Sequence, residues 1–204
     1  EKNISIAMDL DGSTGFKYVR DIRSLDDFNG VWNLRINDLG DEFMISSNQI
    51  GPFPEGLQVG LVNINERKVL LNFLDHKEVI PNNKNSVYDL KVIAGDQEYV
   101  KSMSQEILSS IPEEFSLGQN YPNPFNPITQ MEYSLPQSSK VVISIYNVLG
   151  QEIKTLVNKE QDYGYHSVSW DGTDRLGKSV ASGVYFTQMR SDGFSQSKKM
   201  LLLK

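Results

Sequence analysis

Few residues in this chain have the types and spacing that chemistry needs. Asp9-Leu10-Asp11-Gly12-Ser13 places carboxylates at i and i+2 ahead of a glycine. That is how a calcium loop opens, with alternating oxygens and a Gly for the sharp turn. Ser13 offers one further oxygen, but Arg20 stands where the bidentate Glu must close the loop. Asp-Gly is also a common short turn signal, so Asp9 and Asp11 read first as an acidic turn and only weakly as calcium ligands. Asp26-Asp27, ahead of Phe28-Asn29-Gly30, reads as a turn as well.

Histidine occurs twice, as His76 and His166. His76, in Asp75-His76-Lys77-Glu78, fits a solvated turn between strands. His166 lies in the alternating run Tyr165–Trp170, where a packed or edge histidine is the ordinary reading and a catalytic base the exceptional one. The chain has no cysteine, so it offers no thiol nucleophile and no disulfide framework, and no histidine cluster has zinc spacing. No serine sits in a nucleophile elbow, and Gly150, Gly177 and Gly183 belong to no phosphate-cradling pattern. The expectation is a chain that is not an enzyme by itself and uses no cofactor.

Composition narrows the partners. Hydrophobic residues make up 39%, charged residues 23% and aromatics 10% of 204 residues, enough for a packed core. The net charge of −6 is unevenly placed. Residues 1–111 hold 11 Lys/Arg against 17 Asp/Glu, and residues 112–204 hold 9 of each. An acidic first half argues against nucleic acid, because phosphate neutralisation needs a basic patch. No apolar run approaches the ~18 residues of a spanning helix, so no transmembrane segment is expected. Glu1 opens the chain without a charged-then-apolar leader, so the chain is expected to begin within something longer.

The elements can be read from periodicity. Asn3–Met8 and Val31–Asn37 alternate apolar and polar residues as half-buried strands do. Glu42–Ser46, Leu57–Asn63, Lys68–Leu74 and Val87–Ala94 are further strands between turn signals, with Glu98–Lys101 as a hairpin partner. Ser104–Ser110 reads as a helical turn closed by Ile111-Pro112. This spacing predicts a β-sandwich or jelly roll over residues 1–111.

A proline cluster marks the boundary. Four of the eight prolines (Pro112, Pro122, Pro124 and Pro127) lie within sixteen residues. Asn120, Tyr121, Pro122, Asn123, Pro124, Phe125, Asn126 and Pro127 form a stretch that neither a helix nor a central strand can cross. It is expected to be an extended, polyproline-like strap whose aromatic rings pin it to the C-terminal domain. Beyond it, Gln130–Leu135, Lys140–Asn147, Ile153–Val157, Gly164–Asp171, Gly183–Arg190 and Phe194–Leu203 read as strands. With the strap they make about seven, the size of an immunoglobulin-like sandwich over residues 112–204. The fold class is therefore all-β, with two β-sandwich domains in tandem.

Several blocks carry a resemblance: Phe115–Thr129 around the strap, Ser134-Leu-Pro, Ile145-Tyr-Asn-Val-Leu-Gly-Gln-Glu, Trp170-Asp-Gly-Thr-Asp, Ala181-Ser-Gly-Val-Tyr-Phe and Lys198-Lys-Met-Leu-Leu-Leu-Lys. In this order they resemble the type A C-terminal sorting domain of the type IX secretion system, which exports proteins across the outer membrane of Bacteroidetes. The Trp170 and Ala181 blocks are also similar to the immunoglobulin-like domain of flagellar hook-capping proteins.

The resemblance implies an address read by the type IX translocon, often followed by a sortase-like peptidase that joins the cargo to surface lipopolysaccharide. It implies a sorting signal at Gly183, Tyr185, Lys198, Lys199, Met200, Leu201, Leu202, Leu203 and Lys204. It further implies a monomer, secreted or held at the cell surface via the periplasm of a Gram-negative bacterium of the Bacteroidetes type. A Leu-rich terminal strand can be read at a sheet edge, and the same leucines can simply complete a core. Two other roles stay open: an assembly module like a hook cap, or an accessory carbohydrate-binding or trailing domain of a secreted hydrolase.

Overall fold

The structure is a computed structural model that describes residues 29–36, 42–46, 55–73, 77–81 and 88–204. Asp9, Asp11, His76 and the expected Asn3–Met8 strand lie outside the described residues. The chain divides into two compact units, Glu1–Ser110 and Ile111–Lys204.

In the first unit, Gly30–Ile36 (β1), Gln58–Asn63 (β3), Lys68–Leu70 (β4) and Tyr88–Gly95 (β6) form an antiparallel sheet in the order β1-β6-β3-β4. Glu42–Ser46 (β2) pairs with Lys77–Pro81 (β5). The period of two is visible in the register. Trp32 lies opposite Val92, and Leu34 lies opposite Leu90. These four share one buried core with Leu61, Phe73 and Tyr88. The other sheet face receives the helix Gln97–Ser110 (α1), which buries Val100, Ser104 and Ile107 at helical spacing. Gly60 makes that approach possible, because a Cβ there would sit 2.9 Å from the Val100 side chain.

Two expectations in this unit are corrected. Glu98–Lys101 is not a hairpin strand but the first turn of α1. Asp96 is its cap: the Asp96 carboxylate accepts the Tyr99 amide at 2.8 Å, satisfying a donor that the helix leaves orphaned. The helix is thus twice as long as its apolar tail suggested. Lys77 and Glu78, expected in a turn, open β5. A five-residue strand with two charges at its start carries too little periodicity to be seen locally.

The second unit is an immunoglobulin-like sandwich of seven antiparallel strands. Ser116–Leu117 (β7), Thr129–Leu135 (β8) and Gly164–Trp170 (β11) form one sheet, in the order β11-β8-β7. Ser139–Asn147 (β9), Glu152–Gln161 (β10), Gly183–Ser191 (β12) and Phe194–Leu202 (β13) form the other, in the order β10-β9-β12-β13. Alternate residues of the facing strands fill the space between, among them Met131, Tyr133, Ile143, Ile145, Met189 and Met200. Trp170 is fully buried, and its indole N–H donates to the Thr173 carbonyl at 2.9 Å, so the ring brings no orphaned donor inside. β12 and β13 are joined by Asp192-Gly193 with φ of 41° and 77°, the backbone of a tight hairpin turn.

The strap is not an extended polyproline segment. It bends at Pro122–Pro124 and again at Asn126-Pro127, and the peptide bonds before Pro122, Pro124 and Pro127 are cis. Hydrogen bonds, one buried and two partly buried, hold the bend. The Asn120 amide donates to the Pro122 carbonyl at 3.0 Å and to the Thr129 hydroxyl at 2.9 Å. That hydroxyl in turn donates to the Pro122 carbonyl at 2.9 Å.

Candidate functional site: the strap and the terminal strand

The strap and the last strand, far apart in sequence, meet along one edge. β13 pairs with β12 on one side, so its other side would present unpaired backbone groups. The strap occupies them. The Phe125 amide donates to the Leu201 carbonyl at 3.0 Å, and the Leu203 amide donates to the Phe125 carbonyl at 2.9 Å. Between these, the Leu201 amide donates to Asn123 Oδ1 at 3.0 Å. The Lys199 carbonyl accepts from Gln119 Nε2 at 2.8 Å and from Asn123 Nδ2 at 3.3 Å. Farther up, the Leu117 amide donates to Gln196 Oε1 at 2.8 Å. The terminal strand is therefore sealed at its edge by main chain and by amide side chains.

Beneath this seam lies an aromatic stack. Phe125 is buried against Trp170, with ring centroids 5.5 Å apart, and Trp170 meets Tyr185 edge-on at 5.1 Å. The Tyr185 hydroxyl donates to the Ala181 carbonyl at 2.8 Å, and burial pushes its pKa above the ordinary tyrosine value. Met200 lies opposite Tyr185, and Leu202 lies opposite Gly183. Gly183 has a φ of 156°, which a side chain would strain. Gly172 (φ 68°) fits under the seam: a Cβ there would sit 3.2 Å from the Pro127 carbonyl and 3.6 Å from Leu202.

The residues singled out from the sequence thus separate into two kinds. Met200, Leu202, Tyr185 and Phe125 are core side chains. Lys199, Leu203 (49% exposed) and Lys204 face solvent, and Leu201 is half-buried. Lys198 is also half-buried, on the face of β13 that carries Met200 and Leu202. Lys204 Nζ donates to the Val180 carbonyl. Tyr121 is 82% exposed and its backbone pairs with Gln130. Gln119, Thr129, Gly172 and Gln196 belong to the seam and were not singled out. Gly172 had a signal in its Asp-Gly turn, and Gln119 and Thr129 lie within the Phe115–Thr129 block, whereas Gln196 had none.

His166 stacks on Tyr133 with ring centroids 5.4 Å apart, and its Nε2 is 2.7 Å from the Asp162 carbonyl. Among the described residues, no group of three or more His, Cys, Asp or Glu is placed to hold a metal ion. Among them, too, no helix is long and apolar enough to cross a membrane. Asp171 accepts from the Thr173 hydroxyl at 2.6 Å and from Lys154 Nζ at 3.1 Å. The Thr173 hydroxyl hydrogen bond, the largest influence, holds its pKa below the usual carboxylate value against the rise from burial, with Lys154 and the Thr173 amide adding to the lowering.

Known proteins match parts of this chain. Residues 128–193 match the FlgD Ig-like domain. No curated protein matches the chain. Among solved structures, FlgD from P. aeruginosa is 26% identical over 36% of this chain and 58% of its own, with a TM-score of 0.29. PorZ, a surface component of the type-IX secretion system of Porphyromonas gingivalis, is 15% identical over 58% of this chain and 15% of its own, with a TM-score of 0.32. Dimeric latent PorU from Porphyromonas gingivalis is 14% identical over 98% of this chain and 20% of its own, with a TM-score of 0.38. The chain thus spans less than two thirds of each of these proteins.

Proposed function

We propose that Ile111–Lys204 is a type IX sorting domain and that the whole chain is a non-catalytic terminal region of an exported surface protein. One observation carries the proposal. The FlgD Ig-like match covers 128–193 and so leaves out both the strap and β13. Those are the two elements that seal against each other, and they hold the first and last of the six blocks resembling the sorting family. The elements added to the shared sandwich are therefore the ones that present the chain's last residues. On this reading the translocon reads side chains rather than an open strand edge, since the strap already fills the edge of β13. Lys199, Leu203 and Lys204 are the exposed candidates for that reading. Processing by a sortase-like peptidase, attachment to lipopolysaccharide and a surface location belong to the same proposal.

The test is export of a fluorescent reporter carrying this chain in a Bacteroidetes host. Lys199→Gln is the deciding variant, because Lys199 is exposed and such changes move stability by less than ~0.5 kcal/mol. Periplasmic retention of a variant that melts normally supports the reading. Normal export shows that this lysine is not read, and normal export after Leu203→Asn and Lys204→Gln as well would sink the proposal. The hook-cap reading has one observation in its favour, the FlgD Ig-like match itself. It predicts that the chain assembles with itself or a filament subunit and that a reporter fused to it is not exported.

A further inference from the structure

A second face of the sandwich carries free hydrogen-bonding groups. On the outer side of the β11-β8-β7 sheet, Tyr121 shares a rung with Gln130. On the next rung Glu132 lies opposite Ser167, with Gly118 on its other side. On the rung after that, Ser134 lies opposite Tyr165. An open groove of about 470 Å³ runs over this face, lined by Gln130, Glu132, Tyr165 and Ser167 among others. Its volume is in the range of small-ligand sites.

Three features give the groove a chemical character. Tyr165 lines the groove and is 75% exposed, and Tyr121, beside Gln130 on the same sheet but outside the groove's lining, is 82% exposed, so each presents ring surface to solvent. Between them lie an amide, a carboxylate and a hydroxyl, on Gln130, Glu132 and Ser167. None of these side chains has a hydrogen-bond partner among the described residues. The spacing is set by the register. Gln130 and Ser134 are four residues apart along β8, with Tyr121 bridged to the one and Tyr165 paired to the other from opposite sides, which sets the two tyrosine Cα atoms about 16 Å apart on the diagonal.

We infer that this face binds a short neutral oligosaccharide. Sugar rings present apolar C–H faces that stack on tyrosine and hydroxyl edges that pair with amides, carboxylates and hydroxyls. A span of this length suits a few linked rings rather than one. Glu132 is the one carboxylate that lines the groove, and it disfavours anionic sugars. The inference is independent of the sorting proposal, since none of its residues belongs to the strap–tail seam except Tyr121, whose ring faces solvent.

The experiment is titration calorimetry of the full chain with maltotriose, cellotriose, chitotriose and mannotriose, and with trigalacturonic acid as the anionic control. At least one neutral trisaccharide is expected to bind with a Kd below about 10 mM, and the acid more weakly. Tyr165→Ala and Tyr121→Ala should each weaken that binding by about tenfold or more with unchanged melting temperature. Failure of every neutral trisaccharide to bind overturns the inference. Preference for the acid, or undiminished affinity in the double tyrosine variant, overturns it equally.

Discussion

Phe125→Ala tests whether the strap is part of the sandwich or only lies on it. The ring is 2% exposed and packs on Trp170 at 5.5 Å, beneath the seam with Leu202. Alanine keeps both main-chain bonds to β13, so the change removes packing and leaves the edge pairing available. Truncating a buried Phe to Ala costs ~3–5 kcal/mol, a large part of the ~5–15 kcal/mol that holds a domain together. At ~4–8 °C per kcal/mol for a unit this size, the midpoint should fall by at least about 12 °C. The chain has two tryptophans, Trp32 in the first unit and Trp170 in the second. In a Trp32→Phe background, thermal unfolding followed by fluorescence reports on Trp170 alone. Phe125→Leu, which keeps most of the volume, should fall well short of that loss. A drop under about 4 °C for Phe125→Ala, or equal drops for Ala and Leu, would refute the packing argument.

The same structure sets three further outcomes. Gly172→Ala should cost more than Gly150→Ala by roughly 1 kcal/mol in denaturant unfolding. Both glycines have positive φ (68° and 74°), but only Gly172 has the Pro127 carbonyl and Leu202 within reach of a Cβ, and equal losses would refute the contact. Asp171 has a lowered pKa in the folded unit. Its contribution is therefore fully present above the unfolded value of ~3.9 and is lost as pH falls through the lower folded value. Melting curves from pH 6 to 2 should show Asp171→Asn closing on the parent at the acid end, and a gap that widens there would contradict the assignment. Asp96→Ala removes the cap of α1 and should destabilise the first unit by ~1 kcal/mol, read from Trp32 fluorescence. No measurable change would mean that the helix start is held by packing alone.

Local pattern was enough to read most of the strands. Lys140–Asn147 or Gly183–Arg190 must bury one face, because alternation by two leaves a strand no other way to hide its apolar residues. The turn chemistry of Asp192-Gly193 and the break at Ile111-Pro112 are local for the same reason: they depend on the φ of one or two residues. Where local signals competed, the reading failed. Glu98–Lys101 has the residues of a short strand, and it is helical because Asp96 supplies the cap and β3 supplies the surface for Val100. The strap's prolines excluded helix and central strand, but its course was set by Asn120, Thr129 and partners in β13, and proline chemistry is silent about partners.

The same division runs through the candidate site. Composition and order brought the strap and the tail to notice separately, and nothing in either segment says that they touch. The Asn123–Leu201 bond spans 78 positions, and pairing at that range depends on which edge the sandwich leaves open. Whether a lysine or leucine of the tail faces core, seam or water was likewise undecided until β13 had a register. A period of two assigns residues to alternate faces but cannot name the inward one. Only the sheet behind β13 makes Met200 and Leu202 core and leaves Lys199 and Leu203 to solvent.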